Sequence, residues 1–375
     1  MPVHSFRFVM KILILSDAQS IHTKRWVSSL SGRGIKVVLF TIKPESDNFY
    51  SEIGVKVYTF DLFAYKNYSG ILSLFKSISA HLKAVSYLKH VIKQETPDIL
   101  HAHYATSYGL IAALSSFTPF FLSVWGSDVY EFPYKSKINR LAVKYILRRA
   151  NYITSTSMAM ALQTSKFTTK KIEVIPFGVN TDHFNDTPEF KDGRFVIGTV
   201  KTLSHNYGID LLIRSYKLFS DENPGIDSVL EVVGDGPDRE KLEILSAQLG
   251  IADKVIFRGY IDNHRLPEVY NSFDLAVFLS RRESFGVSAV EAASCGTPVI
   301  ASATDGFKEV VEDGVTGVIV PLEDYEAAAK VMGELAHDVQ RRGQMGRAAR
   351  ERVISMYDWN RNVSEMISLY LKGVL

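Results

Sequence analysis

The sequence predicts an α/β protein of two domains, each a parallel sheet with helices on both faces. Three observations predict it. Short apolar runs alternate with helical stretches from end to end, as strand–helix–strand crossovers do. At 375 residues the chain is too long for one ordinary core and suits two. The alternation breaks once, at Ile175-Pro176-Phe177-Gly178, and a polar stretch follows through Asp186, Pro188 and Asp192. The expected domains are therefore 1–184 and 185–357.

In the first domain, residues 11–16, 37–42, 99–103, 120–125 and 153–155 read as strands, with helical stretches near 22–32, 69–95 and 135–150. The opening MPVHSFRFVM lacks the apolar core of a secretion signal, so residues 1–9 read as a dispensable extension before a strand. The 29 residues between Asp98 and Asp128 carry no formal charge and are long enough to span a bilayer. His101, His103 and Pro119 interrupt them, however, and they parse as strand, short helix (108–114), turn at Thr118-Pro119 and strand. The second domain reads as strands at 195–201, 229–234, 255–259, 275–279, 298–301 and 317–320, with a last helix at 360–372. Ligands of such sheets bind beyond the carboxyl ends of the strands.

The single cysteine, Cys295, rules out an intramolecular disulfide and fits a reducing compartment, so a cytoplasmic location is expected. Residues 1–184 hold 22 Lys and Arg against 11 Asp and Glu, whereas residues 185–375 hold 21 against 30. The basic half suits an anionic partner, either a phospholipid surface or a phosphorylated substrate. Two of its helices are amphipathic. One sets Ile138, Leu141, Ala142, Tyr145 and Ile146 against Lys137, Arg140, Lys144 and Arg148; the other sets Ile71, Phe75, Ile78, Leu82 and Val85 against Lys76, Lys83, Lys89 and Lys93. Each fits a core-facing helix with a solvated side, or peripheral docking on the inner face of the cytoplasmic membrane. Nucleic-acid binding has nothing beyond the charge in its favour.

The richest segment runs from Arg282 to Pro298. A strand at 275–279 leads through a loop into a helix that opens at Gly286 and is stopped by Gly296 and Pro298. The first N–H groups of such a helix make an anion site suited to a diphosphate, and Gly286 lets a ligand approach the backbone. Glu291 lies among Val287, Ala289, Val290, Ala292 and Ala293, so its carboxylate is expected to be buried. Burial at that position requires either an ion pair or ligand hydroxyls to hold the charge.

The Glu283-x7-Glu291 spacing, with Phe285-Gly286 and the Cys-Gly-Thr-Pro-Val-Ile tail, resembles the signature of the family 4 retaining glycosyltransferases. Val174-Ile175-Pro176-Phe177-Gly178-Val179-Asn180 and Val233-Gly234-Asp235-Gly236-Pro237 are among the weaker runs that follow in the same order. The resemblance implies the GT-B fold, two Rossmann-like domains facing across a cleft, with the helix at about 358–375 crossing back to the first domain. It also implies a nucleotide-sugar donor, UDP favoured over GDP, and the basic half points to a glycan or lipid-linked acceptor, as in cell-surface polysaccharide synthesis. Chemistry would retain the anomeric configuration without metal or cofactor. By the same resemblance Glu291 binds the donor ribose and Glu283 the sugar hydroxyls, with backbone N–H groups of Phe285, Gly286 and Val287 nearby. The stretch around Arg258 reads the base.

Departures from the family pattern bear on the site. Trp125 in Ser123-Val124-Trp125-Gly126 stands where the family has a sugar-contacting His, with Asp128 expected to take part of the polar role. Lys201 replaces a phosphate-binding Arg, and the second cation is missing, leaving His205, Asn206 and Tyr207, with His205 and the Arg281-Arg282 pair as candidate replacements. His22 and His103 are expected on the acceptor side. His101-x-His103 places both rings on one face of a strand, but no third metal ligand is evident nearby. A sugar-nucleotide epimerase of the same fold and a non-catalytic nucleotide-sugar-binding relative are the competing readings. A nicotinamide dehydrogenase is poorly supported, because Gly234-Asp235-Gly236 lacks the third glycine of that fingerprint.

Overall fold

The computed structural model describes residues 10–62, 71–187 and 193–374, without the side chains of 71–77. The extension 1–9, Pro188 and Asp192 of the interrupting stretch, and the side chains of Ile71, Phe75 and Lys76 lie outside the description. The chain divides into two compact units. Residues 1–176 with 363–375 form the first and 177–362 the second.

Unit 1 holds β1 (Lys11–Leu15), β2 (Lys36–Thr41), β3 (Lys56–Thr59), β4 (Ile99–His103), β5 (Phe120–Val124), β6 (Tyr152–Ser155) and β7 (Ile172–Val174). They form one sheet in the order β3-β2-β1-β4-β5-β6-β7, every pairing parallel. Unit 2 holds β8 (Phe195–Val200), β9 (Ser228–Val233), β10 (Val255–Gly259), β11 (Leu275–Phe278), β12 (Val299–Ser302) and β13 (Gly317–Val320). Their order is β10-β9-β8-β11-β12-β13, again parallel. Both sheets are doubly wound. The order reverses between β1 and β4 in one and between β8 and β11 in the other, the places where such sheets open a crevice.

Every residue of β4, β5 and β11 is buried, as a sheet covered on both faces requires. The uncharged 99–124 stretch is β4, the helix Ser107–Ser115 and β5. No helix among the described residues is long and apolar enough to cross a membrane. Two strands, β3 and β7, are not legible as apolar runs. Both are edges, and their residues are half-buried or exposed, so they carry charge at Lys56 and Glu173.

The helix Lys137–Arg149 overturns an expectation. Its core face is Val143, Ile146 and Leu147, while Ile138 and Leu141 point to solvent at 78% and 66% exposure. The sequence holds two apolar arcs on this helix. Burying the arc of Ile138 and Leu141 would carry Lys137, Lys144 and Arg148 toward the core, so the sheet takes the other.

The helix Trp359–Val374 ends with unit 1, from Val363 onward. There Tyr370 is fully buried, and its hydroxyl shares a 2.6 Å hydrogen bond with His101 Nδ1 on β4. Tyr152 Oη donates to the Lys372 carbonyl at 3.1 Å. Tyr370→Phe is expected to lower unfolding free energy by about 1–3 kcal/mol, the cost of leaving a buried polar atom without its partner. Urea denaturation followed by far-UV circular dichroism measures it, and an unchanged midpoint contradicts a structural role for that bond.

Candidate functional site

In unit 2 the carboxyl ends of β8 and β11 bring two sequence-predicted residues together. Lys201 follows β8 directly, and Glu283 lies in the loop after β11. Lys201 Nζ donates to Glu283 Oε2 at 2.7 Å, with the two side chains only 9% and 13% exposed. An ion pair withdrawn from water gains little net stability, because desolvation offsets the attraction. Here aromatic faces help: the ammonium lies 4.9 Å from the ring centre of Tyr207, 5.8 Å from Phe307 and 5.9 Å from Phe278. Two buried hydroxyls close to these strand ends, Thr199 Oγ1 and Ser280 Oγ, have no partner among the described residues.

The helix Val287–Ser294 opens beside this pair. Gly286 precedes it at φ +98°, and a Cβ there would come within 2.8 Å of the Phe307 ring, so both backbone and space demand glycine. Among the described residues, the N–H groups of Phe285, Gly286 and Val287 donate to no protein acceptor. Unpaired amides at a helix start are a ready anion site. Gly306, which the sequence reading passed over, makes this loop possible. Its N–H donates to the Glu283 carbonyl at 3.1 Å, and a Cβ would sit 2.5 Å from the Phe285 nitrogen. The only local signal was the turn-forming Thr304-Asp305-Gly306 run.

Glu291 is buried at 7% exposure and accepts a 2.9 Å hydrogen bond from Tyr270 Oη. Burial first, and then the charge on Glu291, push the Tyr270 phenol well up, so it remains a donor. Arg258 pairs with Glu231 across β9 and β10, Nη1 to Oε2 at 2.9 Å.

The proposed replacement cation Arg281 is committed elsewhere. It grips Asp210 with two bonds of 2.9 and 2.8 Å, reaches Glu323 at 2.8 Å and donates to the His205 carbonyl at 2.6 Å. A fork–fork pair of this kind is a geometric lock. It fixes the single turn His205–Tyr207, where Asn206 Nδ2 also donates to the Arg282 carbonyl at 3.1 Å. His205 and Asn206 thus frame the edge of the Lys201 site through a held backbone.

Unit 1 has its own cluster at its own reversal point. Ser16 follows β1, His103 ends β4 and Trp125 follows β5. His103 Nδ1 is 3.0 Å from Ser16 Oγ, which is 2.7 Å from Thr23 Oγ1 in the helix Ile21–Gly32. The Trp125 ring lies 4.3 Å from that of His103, inclined by 32°, while His22 and Tyr104 meet Trp125 edge-on at 5.9 and 6.1 Å. Burial and then Arg25 lower the His22 pKa to about 4, and burial then His101 and His22 hold His103 well below its ordinary value. Both would therefore meet a ligand as neutral imidazoles. His101 has one nitrogen on Tyr370 and the other 2.8 Å from Ser123 Oγ. Among the described residues, no three His, Cys, Asp or Glu side chains converge as a metal site requires.

The expected polar role for Asp128 gives way to a structural one. It is fully buried, and its carboxylate accepts from the backbone N–H groups of Ala105 (2.7 Å), Gly126 (2.8 Å) and Trp125 (3.2 Å). These amides hold the loop that carries Trp125. Desolvation pushes the Asp128 pKa up against their pull.

With this geometry in hand, two family models match the chain: "Glycosyl transferases group 1" over residues 180–352, and "Glycosyl transferase 4-like" over residues 11–157. The chain is a glycosyltransferase, with a second half of the group 1 type. Among relatives of this glycosyltransferase, N-acetyl-alpha-D-glucosaminyl L-malate synthase of Bacillus anthracis is 26% identical over 310 residues, 80% of this chain and 81% of that protein. The 2-deoxystreptamine N-acetyl-D-glucosaminyltransferase of Streptomyces fradiae is 26% identical over 285 residues, 70% and 68% of the two chains. D-inositol 3-phosphate glycosyltransferase of Salinispora tropica is 35% identical over 187 residues, 48% of this chain, and the match spans only 39% of that protein. In fold, the glycosyltransferase resembles sucrose-phosphate synthase from Thermosynechococcus elongatus (TM-score 0.79, 22% identity, 97% of this chain and 98% of that one). It also resembles Anabaena HepE in complex with UDP and glucose (TM-score 0.77, 19% identity, 97% and 99%). The fold is GT-B.

The neutral imidazoles set a pH dependence. A histidine whose pKa falls on folding contributes stability above its unfolded value, lost as pH drops through 6.5 toward the folded value of about 3 for His101 and 4 for His22. Between pH 6.5 and 4.5, unfolding free energy should therefore fall, by up to about 1.4 kcal/mol per pH unit for each histidine. Denaturant titrations across this range test it, and a His101→Gln variant should lose one histidine's share of the slope.

Proposed function

We propose that this glycosyltransferase moves a sugar from a nucleoside diphosphate donor to a hydroxyl of a glycan or lipid-linked acceptor, with retention and without metal. The observation that carries the reading is the Lys201–Glu283 pair beside the unpaired amides of residues 285–287. A diphosphate needs cationic charge and N–H donors at the leaving oxygen, where negative charge grows in the transition state. Lys201 supplies the first and the helix start the second. Glu283, released from Lys201, accepts hydrogen bonds from the sugar hydroxyls. Glu291, oriented by Tyr270, takes the ribose, and the main chain around Arg258 takes the base. In unit 1, His22, His103 and Trp125 form a neutral, aromatic acceptor-side surface at the ends of β1, β4 and β5.

UDP is favoured as the carrier because HepE, with the same fold, holds UDP and glucose. The cytoplasm, where nucleotide sugars are made, is the location this chemistry implies, and cell-surface polysaccharide synthesis is the role proposed.

Lys201 and Glu283 neutralise one another in the structure. The donor replaces each partner: its diphosphate for the carboxylate, its hydroxyls for the ammonium. Glu283→Gln should thus lower transfer of radiolabelled sugar roughly 100-fold or more, while UDP alone binds as tightly as to the parent or more tightly. Lys201→Ala should weaken UDP binding by roughly 5- to 100-fold, the worth of one charge-assisted bond. Calorimetric titration and a transfer assay read the two effects separately. Equal losses of transfer and UDP affinity in Glu283→Gln would contradict the exchange, and isomerised donor without transfer would identify an epimerase.

A further inference from the structure

We infer that the outer face of the helices Lys137–Arg149 and Met158–Ser165 docks on an anionic phospholipid surface. Ile138 and Leu141 on the first helix and Leu162 on the second stand in solvent at 78%, 66% and 64% exposure, with Tyr134 exposed just before the first helix. Exposed aliphatic side chains occurring singly are ordinary; several on one face are not.

Ile138 and Leu141 share one side of the first helix, and Tyr134 links that segment to the second. Gln163 Nε2 donates to Tyr134 Oη at 3.0 Å, the Tyr134 ring meets Phe167 edge-on at 6.0 Å, and the Arg140 guanidinium lies 5.8 Å from the Phe167 ring centre. These contacts join the first helix and the turn before it to Gln163 of the second helix and Phe167 beyond it, all within unit 1. Neighbouring helices continue the pattern. Ile71–Glu95 packs on Ser107–Ser115, which packs on Lys137–Arg149, and the first of these also exposes Ile78 and Leu82 beside Lys83.

Charge selects the occupant. From Val129 to Ile172 the chain has nine Lys and Arg and a single acid, Glu131. On the Lys137–Arg149 helix the cations Lys137, Lys144 and Arg148 flank Ile138 and Leu141 and are themselves exposed. Aliphatic groups at the centre with a cationic rim match the acyl–headgroup boundary of an anionic bilayer, where chains bury the first and phosphates pair the second. A second copy of this chain would bring cation against cation on such a face, at a cost in repulsion. Docking there would hold unit 1 at the membrane surface, where a lipid-linked acceptor resides. The inference rests on unit 1 alone and not on the donor chemistry proposed above, so its test reads binding without turnover.

The test is flotation of the full chain with vesicles of phosphatidylcholine alone or with phosphatidylglycerol. The protein should float with the anionic vesicles only, and added salt should release it. Ile138→Ser with Leu141→Ser should abolish flotation, and Lys137→Gln with Lys144→Gln should weaken it roughly 30-fold. Both pairs are exposed, so near-UV circular dichroism and UDP affinity should match the parent. Overturning results are no flotation, equal flotation on both vesicle types, or variants that float like the parent. A lipid-free dimer that the serine pair dissolves would assign the face to a second copy and overturn the inference as well.

Discussion

An ammonium and a carboxylate held together away from water, Lys201 and Glu283, are the constraint around which the second unit is organised. Neither charge is tolerable there alone. Everything nearby serves to keep them in place. Tyr207, Phe278 and Phe307 face the ammonium, Gly306 lets the Glu283 loop close, and the Arg281–Asp210 fork pins the turn that carries Tyr207. The pair sits where the strand order of the sheet reverses, the place at which doubly wound sheets bind ligands. The unpaired amides of residues 285–287 lie beside it.

The two units solve the same topological problem with different chemistry. At the reversal in unit 2 the groups are charged and suited to phosphate. At the reversal in unit 1 they are aromatic rings and hydroxyls, with both histidines driven neutral by burial. Asp128 belongs to this second arrangement as a scaffold, gathering three backbone amides so that Trp125 follows β5 in a defined position. The Trp in the place of the family's His is thus part of a ring cluster with His103, His22 and Tyr104, supported from beneath by a buried carboxylate.

Central strands were legible because burial on both faces writes them as unbroken apolar runs, as in Phe120–Val124 and Leu275–Phe278. The edges β3 and β7 were not, because one side of each remains polar. Glu283, Gly286 and Glu291 were legible as a local segment whose helix start and stop are encoded within 16 residues. The partner of Glu283 was not, being 82 positions away, and neither was the Tyr270 hydroxyl on Glu291, 21 positions away. The outward turn of Ile138 and Leu141 was also hidden, since the Lys137–Arg149 helix carries two apolar arcs and only packing decides between them. The protein partners of Arg281 and Asp128 were also hidden: Asp210 and Glu323 are 71 and 42 positions from Arg281, and Ala105 is 23 from Asp128.

Thermal unfolding in the presence of UDP- and GDP-sugars tests most directly whether the Lys201–Glu283 site receives a sugar nucleotide. At about 100 times its dissociation constant, a ligand bound only by the folded state adds about 2.7 kcal/mol, which for a protein of this size is a rise of several degrees in Tm. One of the sugar nucleotides should produce that rise in the parent protein, and the rise should shrink in Lys201→Ala. A folded sample that none of them stabilises would contradict the assignment of that site.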